Sequence, residues 1–168
     1  IAETNIQMAR LGIEQGHAPD VTDSLRKIQQ QSRLEHQEDD ELAAGLMLTR
    51  ALLAQSRVEK AKTEVADLRR LANATQNRLL SLRFAYTLAL VQSQAGDLRA
   101  SRSGLMQILT QTEAHGFGLF KQEVLIALAK LEMQSRKDSS SSAKLASLQK
   151  SAQRKGFFLL ARNTSPTY

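Results

Sequence analysis

The fold is decided by residues 77–116, NRLLSLRFAYTLALVQSQAGDLRASRSGLMQILTQTEAHG. This stretch holds two runs of apolar residues at helical spacing, with Gly96 and Asp97 marking a turn between them. Gly116 follows the second run and suits the left-handed residue that ends a helix, and Phe117 is expected to close that cap. The stretch therefore predicts a pair of α-helices, near 77–95 and 98–115.

The same pattern recurs along the chain at an offset of 40 residues. The equivalent apolar positions form five columns: Met8, Leu48, Leu88 and Leu128; Leu11, Ala51, Val91 and Leu131; Leu25, Val65, Leu105 and Leu145; Ile28, Leu68, Ile108 and Leu148; and Ile6, Leu46, Tyr86 and Ile126. Two pairs of columns stand three residues apart, which is the spacing of one helix face. We therefore expect one all-α repeat domain over 1–168, with helix pairs in 1–36, 37–76, 77–116 and 117–156.

The other predicted helices cover about 2–15, 20–35, 39–56, 58–74, 118–136 and 140–155. Asp20 is expected to cap the second of them. Gly156 and Phe157 repeat the pair at 116–117, and residues 157–163 match the opening of another helix, so they are expected to form a short C-terminal cap. Since the chain begins at Ile1 rather than Met, we expect it to be part of a longer protein.

Composition excludes several classes of protein. Aromatic residues make up 4% of the 168 residues and only two prolines occur, which disfavours a sheet protein. There is no cysteine, so disulfides, thiolate nucleophiles and cysteine-type zinc sites are excluded. The sequence lacks a Gly-rich phosphate loop and a metal-binding histidine motif. We therefore expect neither an enzyme nor a cofactor or metal site, and no membrane span in this chain.

Charge is uneven along the chain. Residues 1–56 carry 5 basic and 9 acidic side chains, whereas the rest carries 18 basic and 8 acidic ones. Scattered charge is ordinary on helical surfaces. A positive C-terminal part is also typical of nucleic-acid or anionic-surface binding, for which the basic candidates are Arg57, Lys60, Lys62, Arg69, Arg70, Arg99, Arg102, Lys150, Arg154 and Lys155.

The repeats resemble tetratricopeptide (TPR) repeats. In the third period, Leu88-Ala89, the Gly96-Asp97 turn, Ser101 and Leu105 follow the family pattern. The period of 40 residues is longer than the family's 34. The resemblance implies a right-handed α-α superhelix of about four antiparallel pairs, of the kind appended to bacterial signalling proteins. The compartment, cytoplasmic or extracytoplasmic, stays open.

In TPR proteins the first helix of each pair lines a concave groove that holds peptides. This resemblance implies a non-catalytic interaction, scaffold or sensor module that binds a peptide or a partner protein. The positions it places in the groove are Arg10, Leu46, Arg50, Arg83, Tyr86, Leu90, Ile126, Lys130 and Met133. An apolar strip beside cations suits a partner's aliphatic side chains and carboxylates.

Two alternatives stand beside the groove. The row Ile6, Leu46, Tyr86 and Ile126 is also what a core between packed helices requires, with the cations simply solvated. Self-association is the other alternative, through the N-terminal end or through the apolar tail at 157–160, FFLL.

Overall fold

The structure is a computed structural model that describes residues 2–135 and 139–154. Every regular element within these ranges is an α-helix, which confirms the predicted all-α class. The helices are α1 (Ala2–Glu14), α2 (Ala18–Leu34), α3 (Glu38–Ala54), α4 (Val58–Asp67), α5 (Arg69–Ala74), α6 (Arg78–Gln94), α7 (Leu98–Ala114), α8 (Gly118–Ser135) and α9 (Ser139–Arg154). They fall into two compact units, Ile1–Ala95 and Gly96–Tyr168, called here the N-terminal and C-terminal units.

Helix starts recur every 20 residues, which is half of the period seen in the sequence. Helices α2, α3, α4, α6, α7 and α8 begin at residues 18, 38, 58, 78, 98 and 118. Four of these helices, α2, α3, α6 and α7, contain 17 residues each. The structural repeat is therefore a helix of 17 residues followed by a connection of three residues. Two such structural repeats make one 40-residue sequence repeat.

The helix ends share one backbone turn. A residue with positive φ follows α1, α2, α3, α6 and α7, namely Gly16 (87°), His36 (55°), Ser56 (58°), Gly96 (89°) and Gly116 (72°). After Gly116, the Phe117 N–H donates to the carbonyl of Thr112 over 3.0 Å, as expected for the predicted cap. The Arg57 N–H donates to the Leu52 carbonyl in the same way over 2.9 Å, although serine precedes it. The predicted turn at Gly156 and the cap at 157–163 lie outside the described residues.

The helix starts depart from expectation at Asp20. Helix α2 begins two residues earlier than predicted, at Ala18, and its N-cap is His17. Pro19 accounts for the difference, because proline is tolerated in the first turn of a helix, where the backbone N–H has no partner. Asp20 lies inside that first turn and complements the helix dipole instead of capping.

The single helix predicted over 58–74 is interrupted at Leu68. This residue is 1% exposed and packs with Leu42, Leu46, Leu71 and Leu80 in a cluster between α3, the α4–α5 segment and α6. Buried packing at the interruption therefore sets the path of the chain between α4 and α5, and apolar spacing alone did not predict it.

The core of each unit uses the same sequence columns. In the N-terminal unit, Leu25 and Val65 are 0% and 3% exposed and belong to a cluster that joins α1, α2, α3, α4 and α6. In the C-terminal unit, Leu105 and Leu145 are 1% and 5% exposed. Helix α8 packs on both α7 and α9. The column that contains these four leucine and valine residues is therefore a core column in both units.

Candidate binding groove

Three first helices lie side by side in the N-terminal unit. Helix α3 packs on α1 and on α6, and a cavity of about 420 Å³ opens between these three helices. We call it the first-helix groove. Its lining consists of Glu3, Ile6, Gln7, Arg10, Asp39, Asp40, Ala43, Leu46, Met47, Asn77, Leu79, Leu80 and Arg83.

The groove has an apolar floor and a charged rim. Ile6, Leu46, Met47 and Leu80 are between 1% and 8% exposed and form the floor. The ionisable lining residues are Glu3, Arg10, Asp39, Asp40 and Arg83, of which Arg10, Asp40 and Arg83 are half-buried. An aliphatic side chain fits such a floor, while the rim offers charges of both signs.

A series of hydrogen bonds fixes one end of the groove. The Thr75 hydroxyl donates to Asp39 Oδ1 over 2.6 Å and accepts from the Asn77 N–H over 3.0 Å. Asn77 Oδ1 in turn accepts from the Leu80 N–H over 3.1 Å, which caps α6. The start of α3 is thereby tied to the start of α6, and two of the linked residues, Asp39 and Asn77, line the groove.

The cation on α1 is held within its own helix. Arg10 Nε lies 3.1 Å from Glu14 Oε1, one helical turn away. The Glu14 side chain is only 6% exposed, and its Oε2 atom is buried without a hydrogen-bond partner among the described residues. A buried carboxylate beside Arg10 therefore helps to keep the guanidinium at the groove.

The predicted groove residues of the N-terminal unit divide into two sets. Arg10, Leu46 and Arg83 line the groove. Arg50, Tyr86 and Leu90 are not among the lining residues. Arg50 and Leu90 are half-buried, and Leu90 packs against the core.

Burial distinguishes the apolar row from a free recognition surface. Ile6, Leu46 and Tyr86 are 7%, 1% and 8% exposed. The alternative interpretation, a helix-packing core, accounts for this burial. Ile6 and Leu46 nevertheless reach the floor of the groove, whereas Tyr86 is not among the lining residues.

The predicted residues on α8 belong to the C-terminal unit. Ile126 is 6% exposed and forms a cluster with Ala129 and Leu145, against which Met133 packs. Lys130 is exposed, yet protein atoms around it desolvate its ammonium group and lower its pKa below the ordinary value of 10.5. Packing between α8 and α9 thus accounts for the two apolar residues.

Sequence reasoning missed the acidic and polar end of the groove. The sequence analysis gave no role in binding to four lining residues, namely Asp39, Asp40, Asn77 and Leu79. Leu79 and Leu80 stand 40 residues after Asp39 and Asp40, so the repeat register could have predicted that these positions lie close together.

Two of the basic residues considered for nucleic-acid binding are already paired with acids. Lys62 Nζ lies 2.7 Å from Glu59 Oε1, and Arg70 Nη1 lies 3.0 Å from Glu38 Oε1. These ion pairs partly neutralise the positive surface of the α4–α5 segment.

Within the described ranges, no group of three His, Cys, Asp or Glu residues is placed to hold a metal ion, and no helix has the length and apolar character to cross a bilayer. Comparison of the chain with protein-family models, with curated proteins and with solved structures gives no match.

Proposed function

We propose that this chain is a non-catalytic binding module, whose first-helix groove holds an extended segment of a partner protein. The observation that carries the proposal is the groove itself, because α1, α3 and α6 bring an apolar floor and charges of both signs to one cavity. A volume of about 420 Å³ lies within the range of ligand pockets, about 300–1,000 Å³. The 20-residue helix spacing further supports a TPR-like right-handed solenoid.

The lining indicates the chemistry of the bound segment. An aliphatic side chain would cover Leu46 and Met47, which removes apolar surface from water. A carboxylate of the segment would meet Arg10 and Arg83, and a cation would meet the Asp39 and Asp40 end. The preferred ligand is therefore a short extended peptide with an aliphatic residue flanked by charges of opposite sign.

An array of peptides tests this proposal. Peptides with one aliphatic residue and every arrangement of flanking charges are titrated with the full chain, and the selected sequences are measured by fluorescence anisotropy. Arg83→Glu should weaken the selected peptides by about tenfold, or 1.4 kcal/mol, because it removes the matching cation. Gln7→Phe should weaken them as well, since a ring at this exposed rim position obstructs the groove.

The matched control is Arg26→Glu, which reverses an exposed arginine on α2 that does not line the groove. It should leave peptide affinity unchanged, and circular dichroism should show the same helix content in all variants. Absence of any charge or aliphatic preference on the array contradicts the proposal, as does equal affinity of the Arg83→Glu variant and the parent chain.

A further inference from the structure

A second cavity adjoins the first-helix groove at the start of α3. Its volume is about 640 Å³, and we call it the polar cavity. Among the described residues, its lining consists of Asn5, Lys27, Ile28, Gln31, Ser32, Glu35, Gln37 and Asp40. Asp40 also lines the first-helix groove, so this half-buried carboxylate stands where the two cavities meet.

The lining of the polar cavity differs in kind from the apolar floor of the groove. Ile28 is the only aliphatic side chain among the described residues of this lining. The other side chains are three amides, one hydroxyl, two carboxylates and one ammonium group. The charged ones are Lys27, Glu35 and Asp40, which together carry a net charge of −1 at pH 7. Such a lining disfavours an apolar occupant and favours a cation with several hydrogen-bond donors.

Hydrogen bonds hold the wall of the polar cavity that the α2–α3 connection forms. The Gln37 N–H donates to the Ser32 carbonyl over 2.8 Å, and the Glu41 N–H donates to the Gln37 carbonyl over 2.9 Å. Gln31 Nε2 donates to Glu35 Oε1, which joins two lining side chains one helical turn apart. This bond uses neither the amide oxygen of Gln31 nor Oε2 of Glu35, so both atoms keep their capacity to accept from a ligand.

We propose that the polar cavity is a subsite for an arginine side chain of the bound segment, and that it makes the groove select arginine over lysine. The inference rests on the proposed function, in which a cation of the segment meets the Asp39 and Asp40 end of the groove. From that end, Asp40 leads into the polar cavity. A guanidinium carries five N–H donors in one plane and is weakly hydrated, so it suits several acceptors at separate positions. An ammonium is a compact and strongly hydrated point charge.

Labelled peptides with one variable residue test the subsite. Each peptide contains aspartate, leucine and the variable residue, separated by one or two alanines and made in both sequence directions. The variable residue is arginine, lysine or citrulline, which is the neutral isostere of arginine. Fluorescence anisotropy measures the affinity of each peptide for the full chain. The arginine peptide should bind about tenfold more tightly than the other two, because only arginine combines the charge with the planar set of donors.

Two substitutions that do not touch the groove lining should change this affinity in opposite directions. Glu35→Gln removes a carboxylate from the polar cavity and should weaken the arginine peptide by about threefold. Lys27→Gln removes the like charge and should strengthen it by about threefold. The matched control is Asp23→Asn, which removes an exposed carboxylate of α2 outside both linings and should leave the affinity unchanged.

Obstruction of the polar cavity separates the subsite from the groove. Gln31→Phe places a ring at an exposed position that lines the polar cavity and not the groove, so it should reduce the arginine peptide to the affinity of the lysine peptide. Equal affinities of these two peptides for the parent chain overturn the subsite and leave the groove standing. An arginine preference that survives Gln31→Phe does the same. Failure of every peptide to bind overturns the proposed function and the subsite together.

Discussion

Replacing Gly45 by alanine should destabilise the N-terminal unit. Gly45 lies at the middle of α3, where a Cβ atom would stand 2.5 Å from Leu68 Cδ2, 2.9 Å from Leu68 Cδ1 and 2.7 Å from Gln29 Nε2. Leu68 is 1% exposed and cannot turn away without disturbing its cluster. Gln29 Nε2 donates to Glu64 Oε1 over 2.7 Å, so its displacement costs a hydrogen bond between α2 and α4.

The magnitude follows from opposing terms. Alanine favours a helix interior over glycine by about 1 kcal/mol. Overpacking against the two leucine methyls costs about 1–3 kcal/mol. Weakening a hydrogen bond to a charged acceptor adds about 1.5–3 kcal/mol where the bond is lost. With the Gln29–Glu64 bond weakened and not lost, these terms leave Gly45→Ala with a free energy of unfolding that is lower by about 1–3 kcal/mol.

Urea unfolding followed by circular dichroism at the helix band measures this change as a lower midpoint at constant slope. The matched control is Gly118→Ala at the start of α8, where nothing lies within 4 Å of the added Cβ, and stability should be equal or slightly higher. In a Leu68→Ala background, Gly45→Ala should cost less, because the clash with the leucine methyls is gone and only the contact with Gln29 remains. A Gly45→Ala chain as stable as the parent refutes the close approach between α3 and the Leu68 cluster.

The remaining predictions concern a cap, an ion pair and a desolvated lysine. Asn77→Ala should lower the free energy of unfolding by about 1 kcal/mol in urea titrations, because the Leu80 N–H loses its cap. Asn77→Asp should retain most of the parent's free energy of unfolding, because aspartate is also a good N-cap residue. Arg33→Ala should cost about 1 kcal/mol by the same assay, since it removes the partner 2.8 Å from the buried Glu41 carboxylate, and an unchanged midpoint contradicts that role. Lys130→Met should raise stability at pH 7. In the parent chain stability should rise with pH between the lowered pKa of Lys130 and 10.5, where the unfolded state binds more protons, and a pH profile identical in the variant contradicts this.

The helical pattern was largely predictable from the sequence because it depends on local spacing. Apolar columns and the glycines at 96 and 116 placed most helix bounds within two residues of those observed. His36 and Ser56 were not predictable as left-handed residues, because neither has the freedom of glycine. Their positions follow from the hydrogen bonds that close α2 and α3, such as the 2.8 Å bond from the Gln37 N–H to the Ser32 carbonyl.

The groove was less predictable, because the residues that line it depend on how far each helix is shifted along its neighbour. The repeat register placed Arg10, Leu46 and Arg83 on the inner faces, and all three line the cavity. It also placed Tyr86 there, but this residue is 8% exposed and does not line the cavity, so it is packed within the protein. Apolar periodicity does not distinguish a floor residue from a core residue, since both require the same residue types.

Ion pairs help to determine which second helix packs on which first helix. Arg33 on α2 pairs with Glu41 on α3 at 2.8 Å, and Glu113 on α7 pairs with Lys121 on α8, also at 2.8 Å. These pairs occupy the same repeat positions, 80 residues apart, with the charges reversed. If α2 packed on α8, Arg33 would face Lys121; if α7 packed on α3, Glu113 would face the buried Glu41 carboxylate. Either exchange sets like charges together, so the reversal disfavours incorrect pairing between repeats whose apolar columns are otherwise interchangeable.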